Sequence, residues 1–454
     1  MRTLLQNAVT QRHYESKTPT VTDSKIIIYG AEASPRTPFI LYGAEASPRP
    51  PLSMVEQLRF SARRKLHSYR DVTHFRHGDL SHLDYRNYDG QDIINLGDVA
   101  IYQSTAALIQ RMLPEADILP INWGELSQHP VKDAKRHKTM LIFNGSGYFA
   151  LTANGRLANR IKDDLEFIRD HAIPAFFFGV GLNRPEQTDL DAPVSLHPED
   201  AALVSQLLDY AQATAVRDMA TQSALAALTS KPVHLIGDPV LHFVHAMGMQ
   251  TASKAAAGLS TLSTNTPTAN TPPVIGVNFS FHGKNPNALL QKNLESYCAV
   301  LLRLQKETGA EFRYFVHYAT ENILPRLLAQ RGVNIKNVPE GTHRAGAGDT
   351  ATLAREYAKL DLHIGGMLHS CILATSAGTP CLALAYDIKH QGFFDLMGLS
   401  ENCFSAANFN PDALYLRAID LLANPAPVRA HIAARRNQLE METLNFITHQ
   451  LKPS

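Results

Sequence analysis

From about residue 91 the chain alternates short apolar runs with longer segments whose apolar residues recur at helical spacing. TMLIFNGSGYF, PAFFFGVGL and PVHLIGDPVL have strand length and are punctuated by glycine or by Gly-Asp-Pro. Between them, IINLGDVAIYQSTAALIQRML offers a turn at Asn95–Asp98 and then an amphipathic helix, GRLANRIKDDLEFIRDHA is helical, and PEDAALVSQLLDYAQA is a helix opened by Pro198-Glu199-Asp200. A second series follows: VIGVNFSF, EFRYFVHY, VNIKNVP, LDLHIGG, PCLALAY and CFSA read as strands with helices between them. Strands that are apolar at successive positions are covered on both faces, so this rhythm predicts βαβ units and mostly parallel sheets.

The pattern divides the chain into an N-terminal extension (1–90), a Rossmann-like domain (91–249), a linker (250–273), a second Rossmann-like domain (274–425) and a C-terminal helix (426–454). The fold class is α/β, with the two domains presenting their strand ends to a common cleft. The linker is rich in Ala, Ser, Thr and Pro and nearly uncharged, with nothing to form a core. The extension holds a direct repeat, YGAEASPR at Tyr29–Arg36 and again at Tyr42–Arg49. Two short copies make no solenoid; they read as a tolerated tandem duplication or as an arm toward a partner subunit. The Arg-, His- and Tyr-rich stretch at 56–88 reads as a solvated helix face or a phosphate-binding surface.

Charge narrows the function. Lys plus Arg number 43 against 42 for Asp plus Glu, so no global field draws nucleic acid or an anionic membrane, and any anion needs a local pocket. The 20 histidines are scattered and form no zinc signature, so no metal is expected. Cys298, Cys371, Cys381 and Cys403 lack CxxC spacing, and several lie in apolar runs, which suits buried thiols in a reducing compartment. The polar N-terminus and the shortness of every apolar run point to a soluble, cytoplasmic protein.

The chemistry gathers at strand ends. Residues 361–390, DLHIGGMLHSCILATSAGTPCLALAYDIKH, read as strand, Gly-Gly turn, helix opening at His369, Gly-Thr-Pro stop and second strand. His369 and Ser370 fall at a helix N-terminus, where unbonded backbone N–H groups favour an anion; Tyr386, Asp387 and Lys389 reach the same edge. Asn95 and Asp98 sit in the Asn-Leu-Gly-Asp turn, where Asp98 is a helix cap or a functional carboxylate. Gly145 and Gly147 bracket Ser146 after a strand, as a tight turn or a phosphate cradle. Arg217 ends a strand before Asp218, either paired internally or open to a carboxylate or phosphate.

Taken together, NLGDVAI, LIFNGSGYF, PAFFFGVGL, AVRD, GDPVL and GGMLHSCILATSAGTPCLALAYDIKHQGFFDLMGL resemble the polysaccharide pyruvyl transferase family over about Asn95–Leu399. The resemblance implies a GT-B-like fold and transfer of a pyruvyl group from phosphoenolpyruvate onto two hydroxyls of a sugar, forming a cyclic ketal and releasing phosphate without a cofactor. The acceptor implied is a sugar or glycan, free or carried on a lipid or nucleotide, as in exopolysaccharide biosynthesis; a homo-oligomer is compatible with it. It gives His369 and Asp98 catalytic roles, assigns the donor to Arg217, Lys389, Gly145, Gly147 and Ser370, and the acceptor to Asn95 and Asp387. Two positions depart: the glycine-rich turn reads Gly145-Ser146-Gly147 where the family tends to run three glycines, and, of more consequence, the family's block usually reads Arg-Leu-His where this chain has Met367-Leu368-His369. A thioether cannot replace a guanidinium as donor, which leaves a nucleotide-sugar glycosyltransferase of GT-B type, or a non-catalytic sugar-binding relative, as alternatives.

Overall fold

The computed structural model describes residues 25–30, 95–128, 139–152, 154–184, 195–249, 272–281, 284–318, 321, 323–338 and 350–451. The second repeat copy, the 56–88 stretch and nearly all of the linker lie outside them. The first half runs β1 (Lys25–Gly30), α1 (Leu96–Met112), β2 (Asp117–Asn122), β3 (Met140–Asn144), β4 (Phe149–Ala150), α2 (Arg160–Asp170), β5 (Ala175–Val180), β6 (Leu182–Asn183), α3 (Pro198–Tyr210), β7 (Ala213–Val216), α4 (Met219–Ala226), β8 (Val233–Leu235) and α5 (Phe243–Ala246). The second half runs β9 (Val274–Asn278), α6 (Lys284–Thr308), β10 (Glu311–Tyr314), α7 (Leu324–Gln330), β11 (Ile335–Asn337), α8 (Thr350–Tyr357), β12 (Leu362–Gly365), α9 (Leu368–Ser376), β13 (Cys381–Ala385), α10 (Ile388–Met397), β14 (Cys403–Ser405), α11 (Pro411–Ala423) and α12 (Pro425–Gln450).

Each half is built on a six-stranded sheet, ordered β2-β1-β3-β5-β7-β8 in the first and β11-β10-β9-β12-β13-β14 in the second. Every pairing within both sheets is parallel. The second order is that of a dinucleotide-binding Rossmann sheet, and in both sheets the strand order reverses beside the first strand, which opens a crevice at the carboxyl ends. Continuous apolar strands follow from cores on both faces. Ile27, Tyr29, Leu141, Phe143 and Phe177 pack on one side of the first sheet. Ile26, Ile28, Met140, Ile142, Phe176 and Phe178 pack on the other.

Two boundaries differ from the sequence reading. The extension is not wholly separate, because Lys25–Gly30 inserts between β2 and β3 as a central strand of the first sheet. Its four apolar residues, alone in polar surroundings, gave no sign of distant partners. The C-terminal helix is not a separate unit either, because α12 straps the halves together. Arg429 and Arg435 donate to Gly378 O and Leu396 O of the second half at 2.9 and 2.7 Å. Thr443 Oγ1 donates to Ile236 O of the first half, and Phe446, Ile447 and Leu451 enter that half's core. No helix among the described residues is long and apolar enough to cross a membrane.

β1 is also held by a buried polar knot. The Tyr29 and Tyr148 hydroxyls donate to the two oxygens of Asp164 at 2.9 and 2.8 Å, and Gly124 N–H donates to Tyr29. Burial lifts the Asp164 carboxyl to about 6, against the lowering effect of both tyrosines and Arg160. A carboxyl raised on folding binds its proton more tightly in the native state, so stability falls as pH rises from the unfolded value, near 4, to about 6. That predicts a loss of about 3 kcal/mol across this window. Urea titrations at a series of pH values should show this component of the slope in the wild type and its absence in Asp164→Asn.

Candidate active site between the two sheets

The carboxyl edges of both sheets meet, and each half contributes helix N-termini to the junction. In the first half, Asn95 caps α1: its Oδ1 accepts from Gly97 N–H at 2.9 Å and its Nδ2 donates to Asp98 Oδ2 at 2.7 Å. Asn95 is therefore the cap, and Asp98 lies in the first turn with Oδ1 buried and without a hydrogen-bond partner. Gly145 and Ser146 both adopt left-handed backbone, φ 51° and 55°. That geometry is strained for serine, and it turns the chain so that Gly181 N–H reaches Ser146 O at 2.8 Å. Gly147 leaves room for Asn183, whose Nδ2 would lie 1.9 Å from a Cβ at that position.

Arg217 is 4% exposed and lies in a slot made by another missing side chain, since a Cβ on Gly181 would come 2.1 Å from its Nε. Its guanidinium donates to Asp218 Oδ2 and Asn183 Oδ1. Asp218 Oδ1 in turn caps α4 by accepting from Thr221 N–H at 2.7 Å. The internal ion pair read from the sequence is present, and Arg217 remains at the sheet edge.

In the second half, β12 delivers the Gly365-Gly366 turn to the point where strand order reverses, beside Asn278 at the end of β9. Gly366 N–H donates to Asn278 O at 2.6 Å and Met367 N–H to Asn278 Oδ1 at 2.9 Å. α9 starts at Leu368, with Met367 as an N-cap whose side chain makes no capping bond. Met367 is buried, and its sulfur accepts from Ser280 Oγ at 3.5 Å.

Ser370 does not present itself to a ligand. Its hydroxyl donates to Met367 O at 2.7 Å and meets His363 Nε2 at 3.0 Å, while its N–H bonds Met367 O. Asp387, read as an acceptor contact, is fully buried and caps α10, accepting from Lys389 N–H and, from the other half, Arg184 N–H, each at 3.4 Å. Both side chains are engaged at the start of their own helices, whose first amides lack intrahelical partners, while Asp387 Oδ2 is buried without a hydrogen-bond partner. Lys389 is half-buried with Nζ 5.0 Å from the Tyr386 ring centre. Burial works against its charge, but Tyr386 and Asp387 outweigh it and hold the ammonium above its ordinary value.

His369 projects from α9 into the first half and is 7% exposed. A Cβ on Gly97 would lie 2.1 Å from its Nδ1. Its Nε2 faces Asp238 Oδ2 at 3.6 Å, and neither atom has a hydrogen-bond partner. Asp238 follows β8 and caps the short turn of helix at Pro239–His242. Burial pushes its carboxyl up, but His369, Arg217 and the Val240 N–H prevail and hold it below the usual range. The neighbouring histidines stay neutral: burial lowers His317 and His363 to about 3 and His390 to about 4. His369 is thus the one of these imidazoles with an anionic carboxylate across from it. Gly392 packs on Asp218, where a Cβ would come 2.9 Å from the aspartate Cβ, so the halves touch on both sides of the pair.

Asp238, Asn183, Asn278 and Arg184 were not singled out in the sequence. The Gly-Asp-Pro after β8 was a visible capping signal, but its pairing with a histidine more than a hundred residues away was not. One group of metal-capable side chains occurs among the described residues: His363, Cys371 and Cys381, with ligand atoms within 4.8 Å of one another. All three are buried in the second core, and His363 Nε2 already meets Ser370.

The model of a family described as polysaccharide pyruvyl transferase matches residues 95–388. No curated protein matches the chain. Among solved structures, the chain is similar to an α,α-trehalose 6-phosphate synthase from Burkholderia multivorans, at 12% identity over 94% of this chain and 96% of that one, with TM-score 0.45. It is similar also to a UDP-GlcNAc 2-epimerase from Neisseria meningitidis, at 12% identity over 76% and 96%, with TM-score 0.43. A putative UDP-N-acetylglucosamine 2-epimerase from Listeria monocytogenes shares 11% identity over 74% and 88%, with TM-score 0.45. At these scores the likeness transfers no chemistry.

The packing of His369 on Gly97 generates a direct test. Gly97→Ala places a methyl where the imidazole stands, so the halves must part or the ring must turn away, at a cost of about 1–3 kcal/mol. The expected result is a lower thermal midpoint and a larger radius of gyration in X-ray scattering; unchanged values for both would contradict the contact.

Proposed function

Because the chain belongs to the polysaccharide pyruvyl transferase family, whose model spans residues 95–388, we propose that it moves a pyruvyl group from phosphoenolpyruvate onto two hydroxyls of a sugar or glycan. The observation that carries the reading is the facing pair His369 and Asp238, contributed by different halves and 3.6 Å apart with no other hydrogen-bond partner at either atom. Catalytic hydrogen bonds are often long in an unliganded site and tighten when substrate is bound.

The reaction needs a proton delivered to carbon and removed from oxygen. The methylene carbon of phosphoenolpyruvate takes a proton from the His369 imidazolium, and the charge developing at C2 is met by a sugar hydroxyl. That hydroxyl's proton returns to the imidazole. The C2–O bond to phosphate then breaks with its electron pair on phosphate, and the second hydroxyl closes the ketal, its proton leaving with phosphate. Asp238 stabilises the imidazolium and fixes Nε2, which leaves Nδ1 as the nitrogen turned toward Gly97 in the α1 turn. Arg217 and Lys389 supply positive charge for phosphate and carboxylate, with the Gly145–Gly147 turn beside them. In this closed arrangement the imidazole lies against Gly97, so substrate entry requires the halves to separate.

A second reading has its own observation. Met367 is buried where the family block usually carries arginine, and its sulfur contacts Ser280 rather than offering a donor. That favours a relative that holds a glycan without turnover.

The test is phosphate release from phosphoenolpyruvate against a panel of free, nucleotide-linked and lipid-linked sugars. Turnover is expected in the wild type, with a loss of about 10²- to 10⁴-fold in His369→Ala. Glycan binding without phosphate release, together with turnover gained by Met367→Arg, would establish the second reading. Thermal stabilisation by a nucleoside diphosphate and none by phosphoenolpyruvate would replace both with a nucleotide-sugar transferase.

A further inference from the structure

We propose that Glu321 is a positioning residue that holds the two site turns, Asn95–Asp98 and Gly366–His369, in register with each other. Its catalytic consequence rests on the transferase reading above; its structural consequence does not.

Glu321 is completely buried, and one of its oxygens does all the visible work. Oε2 accepts from His317 N–H at 2.8 Å, from Asn278 Nδ2 at 2.9 Å and from Tyr318 N–H at 3.4 Å. Oε1 is buried with no hydrogen-bond partner. Two arms leave this carboxylate. The first runs through Asn278, whose Nδ2 is shared between Glu321 and Phe315 O, so the amide is fixed with its oxygen toward Met367 N–H. Met367 provides no side-chain cap for α9. The first turn of α9, with His369 on it, is therefore anchored from outside the helix, through Asn278. The second arm runs through the backbone of His317. Its N–H is bonded to Glu321, and its carbonyl accepts from Leu96 N–H of the opposite half at 3.3 Å. Leu96 opens α1 and adjoins Gly97, the residue on which His369 rests.

A single carboxylate thus fixes an amide that sets His369 and a carbonyl that meets the turn receiving it. Packing does not call for an acid there. Burial pushes the carboxyl up to about 8 even though all three donors favour its charged form. A glutamine in this place keeps an acceptor but puts two amide protons where Oε1 has no partner. The glutamine can therefore keep its oxygen on Asn278 and His317 only by burying unpaired amide protons, which weakens its hold on both.

The experiment uses the full chain and compares wild type, Glu321→Gln, Asn278→Ala and the double variant. Hydrogen–deuterium exchange should speed up about tenfold or more in peptides covering 95–100 and 366–371 and stay unchanged in α12. The double variant should be no worse than the more affected single one, because both lie on one path. In turnover of phosphoenolpyruvate, kcat per folded molecule, with the folded fraction measured in the same sample, should fall about tenfold or more while KM changes less than threefold. Unchanged exchange at both turns, or fully additive effects, overturns the proposal. If wild type shows no turnover, the transferase reading fails, while exchange and additivity still decide the role of Glu321. Should Glu321→Gln unfold, Glu321→Asp, which keeps the carboxyl group and shortens the reach, carries the same two outcomes.

Discussion

The arrangement of the cleft depends on the absence of a side chain at Gly97. The His369 ring occupies the volume where a Cβ would stand, and in this approach its Nε2 lies opposite Asp238. The constraint reaches back to the sheets. Two parallel sheets that meet edge to edge present strand carboxyl ends and helix N-termini on both sides, which means unpaired amides facing unpaired amides. Asn95, Asp218, Asp238 and Asp387 answer those amides with side-chain oxygens. Each cap keeps a polar side chain at the junction, so the groups that end the helices and the groups available for chemistry are drawn from one set.

That double duty explains which parts of the site were legible in the sequence. Strand–helix alternation gave both sheets, because two-sided cores make each strand a continuous apolar run. His369 and Arg217 could be placed at the cleft because each follows a strand that ends in a recognisable turn. Whether a polar residue at a helix start faces the cleft or its own backbone could not be read, since that depends on the rotation of the first turn. Ser370 and Asp387 fell on the inward side. Asp238 had the same local appearance and also caps its own helix, with its second oxygen facing His369. β1 was missed for a different reason: its pairing with β2 and β3 is non-local, and Lys25–Gly30 has no neighbouring strand in sequence to suggest it.

The two halves are held in two places. At the cleft, Leu96 N–H on His317 O, Arg184 N–H on Asp387 and the close approaches at Gly97 and Gly392 lie beside an apolar seam, in which Leu96, Ile101, Val240, Leu241 and Phe243 of the first half pack with the second half's core. Away from it, α12 crosses the junction with arginines on second-half carbonyls and apolar residues in the first-half core. Both contacts bury apolar surface, so the junction is packed at the cleft as well as along α12.

Charge then bears on what enters. Around the junction Arg184, Arg217 and Lys389 stand against Asp98, Asp218, Asp238 and Asp387, and the residue that could have added a cation is Met367. The basic side chains are thus matched or outnumbered by acidic ones, so an anion at this junction is held by the placement of particular groups rather than by a net positive field.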